Sequence, residues 1–215
     1  MYLTFGRATV AIDAKTCRER WTYIWRPKGQ EISPANRGAA IKDGTLVRGT
    51  ADGYLIALDM ADGSLLWSQP IASAAGGQYL SMPPLIFGDL IIVGPSGADF
   101  GAKNWIGAFK LETGEKVWNF NLIPDPGEPG ADSWKNAESL KHGGGSLWTP
   151  LSLDAKVGIV YLPVMLLALS GGSGIEERAG QVHRLPCDVH SGPSIEQVRQ
   201  AVDQSELDAK LRERV

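Results

Sequence analysis

Residues with the types and spacing to bind an ion or a phosphate occur in two places. His183, Cys187 and His190 are spaced like metal ligands, and imidazole and thiolate are zinc-binding groups. Their low-complexity surroundings favour an interpretation without a metal. The glycine-rich segment Gly94-Pro95-Ser96-Gly97 lacks the third glycine and the following helix pattern of a dinucleotide-binding loop. Neither place predicts a complete site.

A short sequence signature that occurs three times indicates which secondary-structure elements the chain is built from. In each copy a tryptophan follows an alanine by ten positions: Ala11 and Trp21, Ala57 and Trp67, and Ala108 and Trp118. Successive tryptophans are 46 residues (Trp21 to Trp67) and 51 residues (Trp67 to Trp118) apart. A period of about 40 to 50 residues with strand and turn signals is typical of the blades of a β-propeller.

The residue types within each copy predict a hairpin. An apolar strand such as Tyr54–Leu58 leads into a turn such as Asp62-Gly63, and glycine accepts the positive φ that a tight turn needs. The second strand ends in tryptophan, whose ring is large enough to fill the gap between neighbouring sheets. Cys17 takes the place of the glycine in the first copy. Because a side chain tolerates positive φ less well, we expect that copy to be the least regular.

Composition and charge exclude several classes of function. The 215 residues include 26 Gly and 13 Pro, and 21% are charged, as in soluble β-proteins. A net charge of −3 and a pI of about 5.6 give no basic surface for nucleic acid. The longest apolar run, Val157–Leu169, is shorter than the about 20 residues of a membrane span. The first residues read as a strand, so no signal peptide is predicted.

The chain changes character near Val164. All seven Trp lie at or before Trp148, and no aromatic residue follows Tyr161. From Ser194, a candidate N-cap, apolar residues recur at helical spacing. We therefore expect a β-structure over 1–164 and a divergent tail over 165–215, a loop followed by a helix. The tail is either a small appended segment or sequence foreign to the fold, introduced by a frameshift, a fusion or an assembly error, and the second interpretation is favoured.

From Pro34 to Val164 the chain resembles the quinoprotein alcohol dehydrogenases. Three motifs carry the resemblance, in family order: Asn36-Arg37-Gly38, Gly94-Pro95-Ser96-Gly97-Ala98-Asp99-Phe100-Gly101, and Gly143-Gly144-Gly145-Ser146-Leu147-Trp148. The resemblance implies an all-β fold, an eight-bladed propeller that holds pyrroloquinoline quinone (PQQ) and calcium on its axis. We expect residues 1–164 to form about three to four of its blades.

The resemblance also assigns candidate site residues. PQQ is a flat ortho-quinone with three carboxylates, and it needs a cation, hydrogen-bond donors and a planar surface. By the resemblance, Arg37 pairs with a carboxylate, which suits its planar guanidinium, and Trp148 is the floor on which the ring stacks. The further implied cofactor contacts are Ser81, Ser96, Gly97, Ala98 and Ser146. Asp99 replaces a calcium-binding glutamate, and a carboxylate is the right ligand type although one methylene shorter.

Three departures from the family pattern limit what the chain is expected to do. Glu31 and Ile32 stand where many members have two adjacent cysteines that cover PQQ. Met165–Leu167 replaces a Gly-Asn-Pro motif whose asparagine binds calcium. No residue matches the catalytic aspartate of the family, so the catalytic residues are unknown. We expect the chain alone to be inactive.

Two functions of different classes remain open. The first is that the chain is a fragment of a PQQ- and calcium-dependent dehydrogenase that oxidises alcohols or sugars by hydride transfer to the quinone. By the resemblance such an enzyme is periplasmic and passes electrons to a cytochrome c or a quinone. The second is a non-catalytic propeller scaffold for protein–protein interaction, like the outer-membrane assembly lipoproteins. Arg37, Asp99 and Trp148 favour the enzyme, because a scaffold needs no cofactor contacts.

Overall fold

The described part of the chain is built from thirteen β-strands joined by turns. The computed structural model describes residues 1–134, 140 and 144–164. These residues divide into two compact units, one containing Met1–Pro150 with Val164 and the other Leu151–Pro163. The tail predicted over 165–215, its helix, Cys187 and the two histidines beside it, and Gly143 lie outside the described residues. No helix in the described ranges is long and apolar enough to cross a membrane.

The strands form antiparallel sheets in which neighbours in sequence are neighbours in space. The first sheet contains β1 (Tyr2–Thr4), β2 (Ala8–Ile12) and β3 (Glu19–Ile24). The second contains β4 (Ala40–Lys42), β5 (Thr45–Gly49), β6 (Tyr54–Asp59) and β7 (Leu65–Pro70). The third contains β8 (Leu85–Phe87), β9 (Leu90–Val93), β10 (Trp105–Lys110) and β11 (Lys116–Asn121). In the other unit β12 (Ser152–Asp154) pairs with β13 (Ile159–Tyr161). The prediction of an all-β fold is confirmed.

Strand register explains why ten positions separate the alanine and the tryptophan of each repeat. The two residues are direct cross-strand partners in all three copies: Ala11 with Trp21, Ala57 with Trp67, and Ala108 with Trp118. The register shifts by one residue just before each tryptophan, so a β-bulge occurs at the same point of every hairpin. The repeat in sequence is therefore a repeat in hydrogen bonding.

The tryptophans of the first two copies join neighbouring sheets. Trp21 Nε1 donates to the carbonyl of Met60 in the following repeat (3.1 Å), and Trp67 Nε1 donates to that of Leu111 (3.1 Å). Each ring also lies against the turn glycine of that repeat. A Cβ added at Gly63 would lie 2.6 Å from Cε3 of Trp21. The prediction that tryptophan fills the gap between sheets is confirmed for these two residues.

The turn of the first copy adopts the same left-handed conformation as the other two, although a cysteine takes the place of the glycine. Cys17 has φ 56°, in the left-handed region, while Gly63 and Gly114 in the same position of the other copies have φ 77° and 72°. The side chain of Asp13 caps this turn. The Oδ1 atom of Asp13 accepts hydrogen bonds from the backbone of Lys15 and Thr16 (both 3.0 Å).

A buried arginine ties the first sheet to the second. Arg48 on β5 is fully buried, and its guanidinium donates to the carbonyls of Gly6 (2.5 Å) and Ala8 (2.7 Å) and to Thr9 Oγ1 (3.2 Å). Burial lowers the pKa of Arg48 to about 10, so the group is still charged at neutral pH. Its charge is stabilised by carbonyl dipoles across the gap between the two sheets.

Candidate cofactor site

The connection between the first and second sheets presents Arg37. Asn36 and Gly38 fix the backbone on either side of it. Asn36 Nδ2 donates to the Gly49 carbonyl (3.1 Å), while Asn36 Oδ1 accepts from the N–H of Gly38 (3.2 Å). The N–H of Arg37 donates to the Ser81 carbonyl (2.9 Å). The backbone is thus held while the Arg37 side chain is left exposed.

The guanidinium of Arg37 faces the indole of Trp148. Its central carbon lies 4.9 Å from the ring centroid, within the range of a cation–π contact. Trp148 is half-buried, so part of its ring is open to solvent. The structure therefore brings together the cation and the planar surface that the sequence singled out from motifs far apart in the chain.

The hydroxyls of Ser81 and Ser96 are buried and bonded to each other. Their Oγ atoms are 2.7 Å apart, and Ser96 Oγ donates to the Leu147 carbonyl (2.7 Å). Because the Ser96 proton is used in that bond, Ser81 is the donor to Ser96. The pair joins three separate segments, one of which leads directly to Trp148. Their contact with a cofactor stays a prediction, and the observed bonds give them a positioning role that the sequence did not indicate.

Close packing at Gly97 joins the second and third motifs. The N–H of Gly97 donates to Ser146 Oγ (3.3 Å), and the neighbouring Ala98 is buried. Gly97 has φ 133°, and an added Cβ would lie 2.2 Å from the Gly77 carbonyl oxygen. Only glycine fits here. The position predicted to allow close backbone approach is therefore closely packed in this structure.

Asn104 supports the same region and was missed by sequence reasoning. It is 2% exposed, and its Nδ2 donates to the carbonyls of Gly144 (3.0 Å) and Ala102 (3.3 Å). Its own N–H also donates to Gly144 (3.1 Å). These bonds fix the start of the strand-like segment that ends at Trp148. No motif marks Asn104, because its importance depends on contacts with a distant part of the chain.

Among the described residues, Asp99 is not grouped with other potential metal ligands. Asp99 is exposed and lies in a single 3₁₀ turn, Ala98–Phe100. The described ranges contain no group of three His, Cys, Asp or Glu residues able to hold a metal ion. Calcium takes six to eight oxygen ligands, so Asp99 alone does not make a calcium site.

An ion pair occupies the position where many family members have paired cysteines. Arg7 Nε donates to both carboxylate oxygens of Glu31, to Oε2 at 2.9 Å and to Oε1 at 3.1 Å. Arg7 Nη2 also donates to Oε2. The side-chain hydrogen bond with Glu31 raises the pKa of Arg7 above its ordinary value. Ile32 is anchored through its N–H to the Ala51 carbonyl (3.1 Å). The segment leading to Arg37 is thus held without a disulfide.

Repeated antiparallel sheets interlocked by tryptophans, with an arginine and an indole facing each other, define a β-propeller of the quinoprotein class. The chain belongs to the PQQ-dependent dehydrogenases. The family model "PQQ: Glucose/ethanol/alcohol dehydrogenase, beta-propeller domain" matches residues 1–169. The resemblance stated from the three motifs is confirmed.

Relatives and solved structures agree with this family. The quinohemoprotein alcohol dehydrogenase of Comamonas testosteroni is 32% identical over 75% of this chain and 25% of the relative. The dehydrogenase subunit of alcohol dehydrogenase (quinone) from Gluconacetobacter polyoxogenes is 35% identical over 76% of this chain and 26% of the relative. A europium-containing methanol dehydrogenase superposes with a TM-score of 0.68 and 28% identity, covering 76% of this chain and 33% of that structure. This likeness confirms the partial propeller, and the chain spans about a quarter of the curated relatives it matches.

Proposed function

We propose that this chain supplies part of the PQQ site of a dehydrogenase that oxidises alcohols or sugars. The observation that carries the proposal is the contact between the exposed Arg37 guanidinium and the half-buried Trp148 ring, 4.9 Å apart. We expect a planar anion to pair with the guanidinium through a carboxylate and to lie against the part of the indole that the guanidinium leaves open. The chemistry matches PQQ, because a guanidinium pairs with a carboxylate and an indole offers a face to a conjugated ring.

The residues around this pair fit the same ligand. The N–H of Gly97 donates to Ser146 Oγ, which ties the second motif to the segment that leads to Trp148. Arg37 would hold a carboxylate of PQQ and Trp148 would lie against its rings. When bound, PQQ supplies the quinone carbonyl that accepts the hydride of the substrate. The contribution of this chain to that chemistry is to bind and orient the cofactor.

The metal and the catalytic step depend on groups beyond those described. We propose that Asp99 contributes one oxygen ligand to a calcium or lanthanide ion, since it lies three residues from Ser96 and is exposed. One carboxylate gives weak affinity. The chain alone should therefore bind PQQ weakly and reduce no dye. On the same family basis we propose a periplasmic location and transfer of electrons to a cytochrome c or a quinone.

Equilibrium dialysis with PQQ tests the proposal. We compare the unmodified chain with Arg37→Ala and Trp148→Ala, and use Arg26→Ala and Trp118→Ala as matched controls, with circular dichroism to confirm folding. Removing a charge-assisted hydrogen bond costs about 1.5–3 kcal/mol, so Arg37→Ala should weaken binding at least about tenfold. The controls should bind like the unmodified chain.

Two results would overturn the proposal. One is the absence of saturable PQQ binding by the folded chain at millimolar concentration. The other is equal binding by the site variants and the controls, which would leave the scaffold as the better function. Calcium and a lanthanide are added in separate titrations, and Asp99→Ala should remove any metal effect.

A further inference from the structure

Asp52 is a buried carboxylate that the proposed cofactor chemistry does not use. It is 4% exposed and follows β5 in the turn Gly49–Asp52. Its Oδ1 accepts from Trp25 Nε1 (2.8 Å) and from Thr50 Oγ1 (2.7 Å), and its Oδ2 accepts from the N–H of Lys28 (2.8 Å). Three neutral donors thus satisfy a charged group inside the protein. Such an arrangement is rigid, because moving any donor leaves buried charge less well solvated.

The turn containing Asp52 anchors the connection that leads to Arg37. Three residues of the connection, each four positions after the last, bond to this turn: Lys28 N to Asp52 Oδ2 (2.8 Å), Ile32 N to the Ala51 carbonyl (3.1 Å), and Asn36 Nδ2 to the Gly49 carbonyl (3.1 Å). The connection has no strand or helix of its own between Trp25 and Ala39. These three bonds to the turn, together with the Arg7–Glu31 ion pair, therefore hold its path to Arg37.

The same turn also holds the segment that contains Ser81. The N–H of Leu80 donates to the Thr50 carbonyl (3.1 Å), and a Cβ added at Gly49 would lie 2.3 Å from Cβ of Leu80. Ser81 in turn accepts the N–H of Arg37 through its carbonyl (2.9 Å). Arg37 is thus reached from the turn along two routes, one through the connection and one through Leu80 and Ser81.

We infer that Asp52 is a positioning residue for cofactor binding, which fixes the guanidinium of Arg37 by holding the connection and the turn together. The inference rests on the proposed function for the role of Arg37 in binding PQQ. That Asp52 holds the backbone of the connection follows from the hydrogen bonds themselves. Asp52 touches neither Arg37 nor Trp148. Its effect on a bound anion is exerted through the backbone.

The test compares Asp52→Ala and Asp52→Asn with the matched control Asp59→Ala. Asp59 lies on β6 of the same sheet, and its Oδ1 accepts from the N–H of Ala61 (2.7 Å), away from the connection. PQQ affinity should fall about tenfold in Asp52→Ala, the lower end of losses seen when supporting partners of a site are removed. Asp52→Asn should give a smaller loss, because its amide keeps one acceptor oxygen but not the one for Lys28. The control should keep the original affinity even if its unfolding midpoint falls.

Two further measurements separate positioning from general stability. In an Arg37→Ala background, Asp52→Ala should cause no additional loss of PQQ affinity, because Asp52 acts through Arg37. Hydrogen exchange at the Arg37 amide should be about tenfold faster in Asp52→Ala than in the unmodified chain, and unchanged in the control. Additive losses of PQQ affinity in the double variant would overturn the inference. Equal exchange rates at the Arg37 amide in Asp52→Ala and Asp59→Ala would also overturn it. If the unmodified chain binds no PQQ, the proposed function fails while the exchange experiment still decides the positioning role.

Discussion

Replacing Gly63 with alanine tests how neighbouring repeats are locked together. Gly63 has φ 77°, and its missing side chain leaves room for the ring of Trp21 from the preceding repeat. Gly44 is the matched control, because it has φ 79° in another turn of the same sheet and no atom within 4 Å of an added Cβ. Both substitutions impose the same backbone strain, and only one displaces a tryptophan.

The expected losses differ by the cost of that displacement. Left-handed backbone costs alanine about 1–2 kcal/mol. The reduced freedom of the unfolded chain returns about 0.4–1 kcal/mol. Gly44→Ala should therefore lower the free energy of unfolding by roughly 1 kcal/mol. At Gly63 the added Cβ would lie 2.6 Å from Cε3 of Trp21. Overpacking of this kind adds about 1–3 kcal/mol, so Gly63→Ala should lose about 2–4 kcal/mol in total.

Urea unfolding followed by far-ultraviolet circular dichroism measures both values without relying on tryptophan fluorescence. In a Trp21→Leu background the excess loss at Gly63 should disappear, since leucine removes the ring that the Cβ meets. Equal losses for Gly63→Ala and Gly44→Ala in the original background would refute the proposed lock between repeats.

Two other stability predictions follow from the first repeat. Cys17→Gly should raise the free energy of unfolding by about 0.5–1 kcal/mol in urea, because it relieves a side chain held at φ 56°; an unchanged or lower value would contradict the strain. Asp13 should contribute pH-dependent stability, because its hydrogen bond from Arg20 Nη2 (2.9 Å) lowers the pKa of Asp13 well below its ordinary value. Because the pKa of Asp13 is depressed in the folded state, the stability advantage of the unmodified chain over Asp13→Asn is complete above about pH 4. This advantage shrinks as the pH falls below that value. Thermal melts of both proteins at pH 7 and pH 2.5 check this prediction. A difference in Tm between the two proteins that is larger at pH 2.5 than at pH 7 would contradict it.

The repeat could be predicted from sequence because a fixed register leaves a fixed spacing. Ala57 and Trp67 are cross-strand partners around a bulged hairpin, so the ten-position interval recurs wherever that hairpin recurs. The strain at Cys17 was predictable for the same reason, since the position is defined by its place in the turn. Periodic local chemistry of this kind is visible without knowledge of the fold.

The site was predictable only in part, because burial depends on distant contacts. Arg37 and Trp148 stand in recognisable motifs, but nothing local shows that Ser81 and Ser96 turn their hydroxyls toward each other. Asp52 precedes a glycine and looks like an ordinary turn residue. One of its three donors is Trp25, which lies 27 positions earlier in the chain.

A structure of the chain determined with PQQ tests the proposed cofactor site most directly. We expect cofactor density beside Trp148, with a carboxylate of PQQ within hydrogen-bond distance of the Arg37 guanidinium and the rings against the indole. Cofactor density that contacts neither residue, in a folded chain saturated with PQQ, would contradict it.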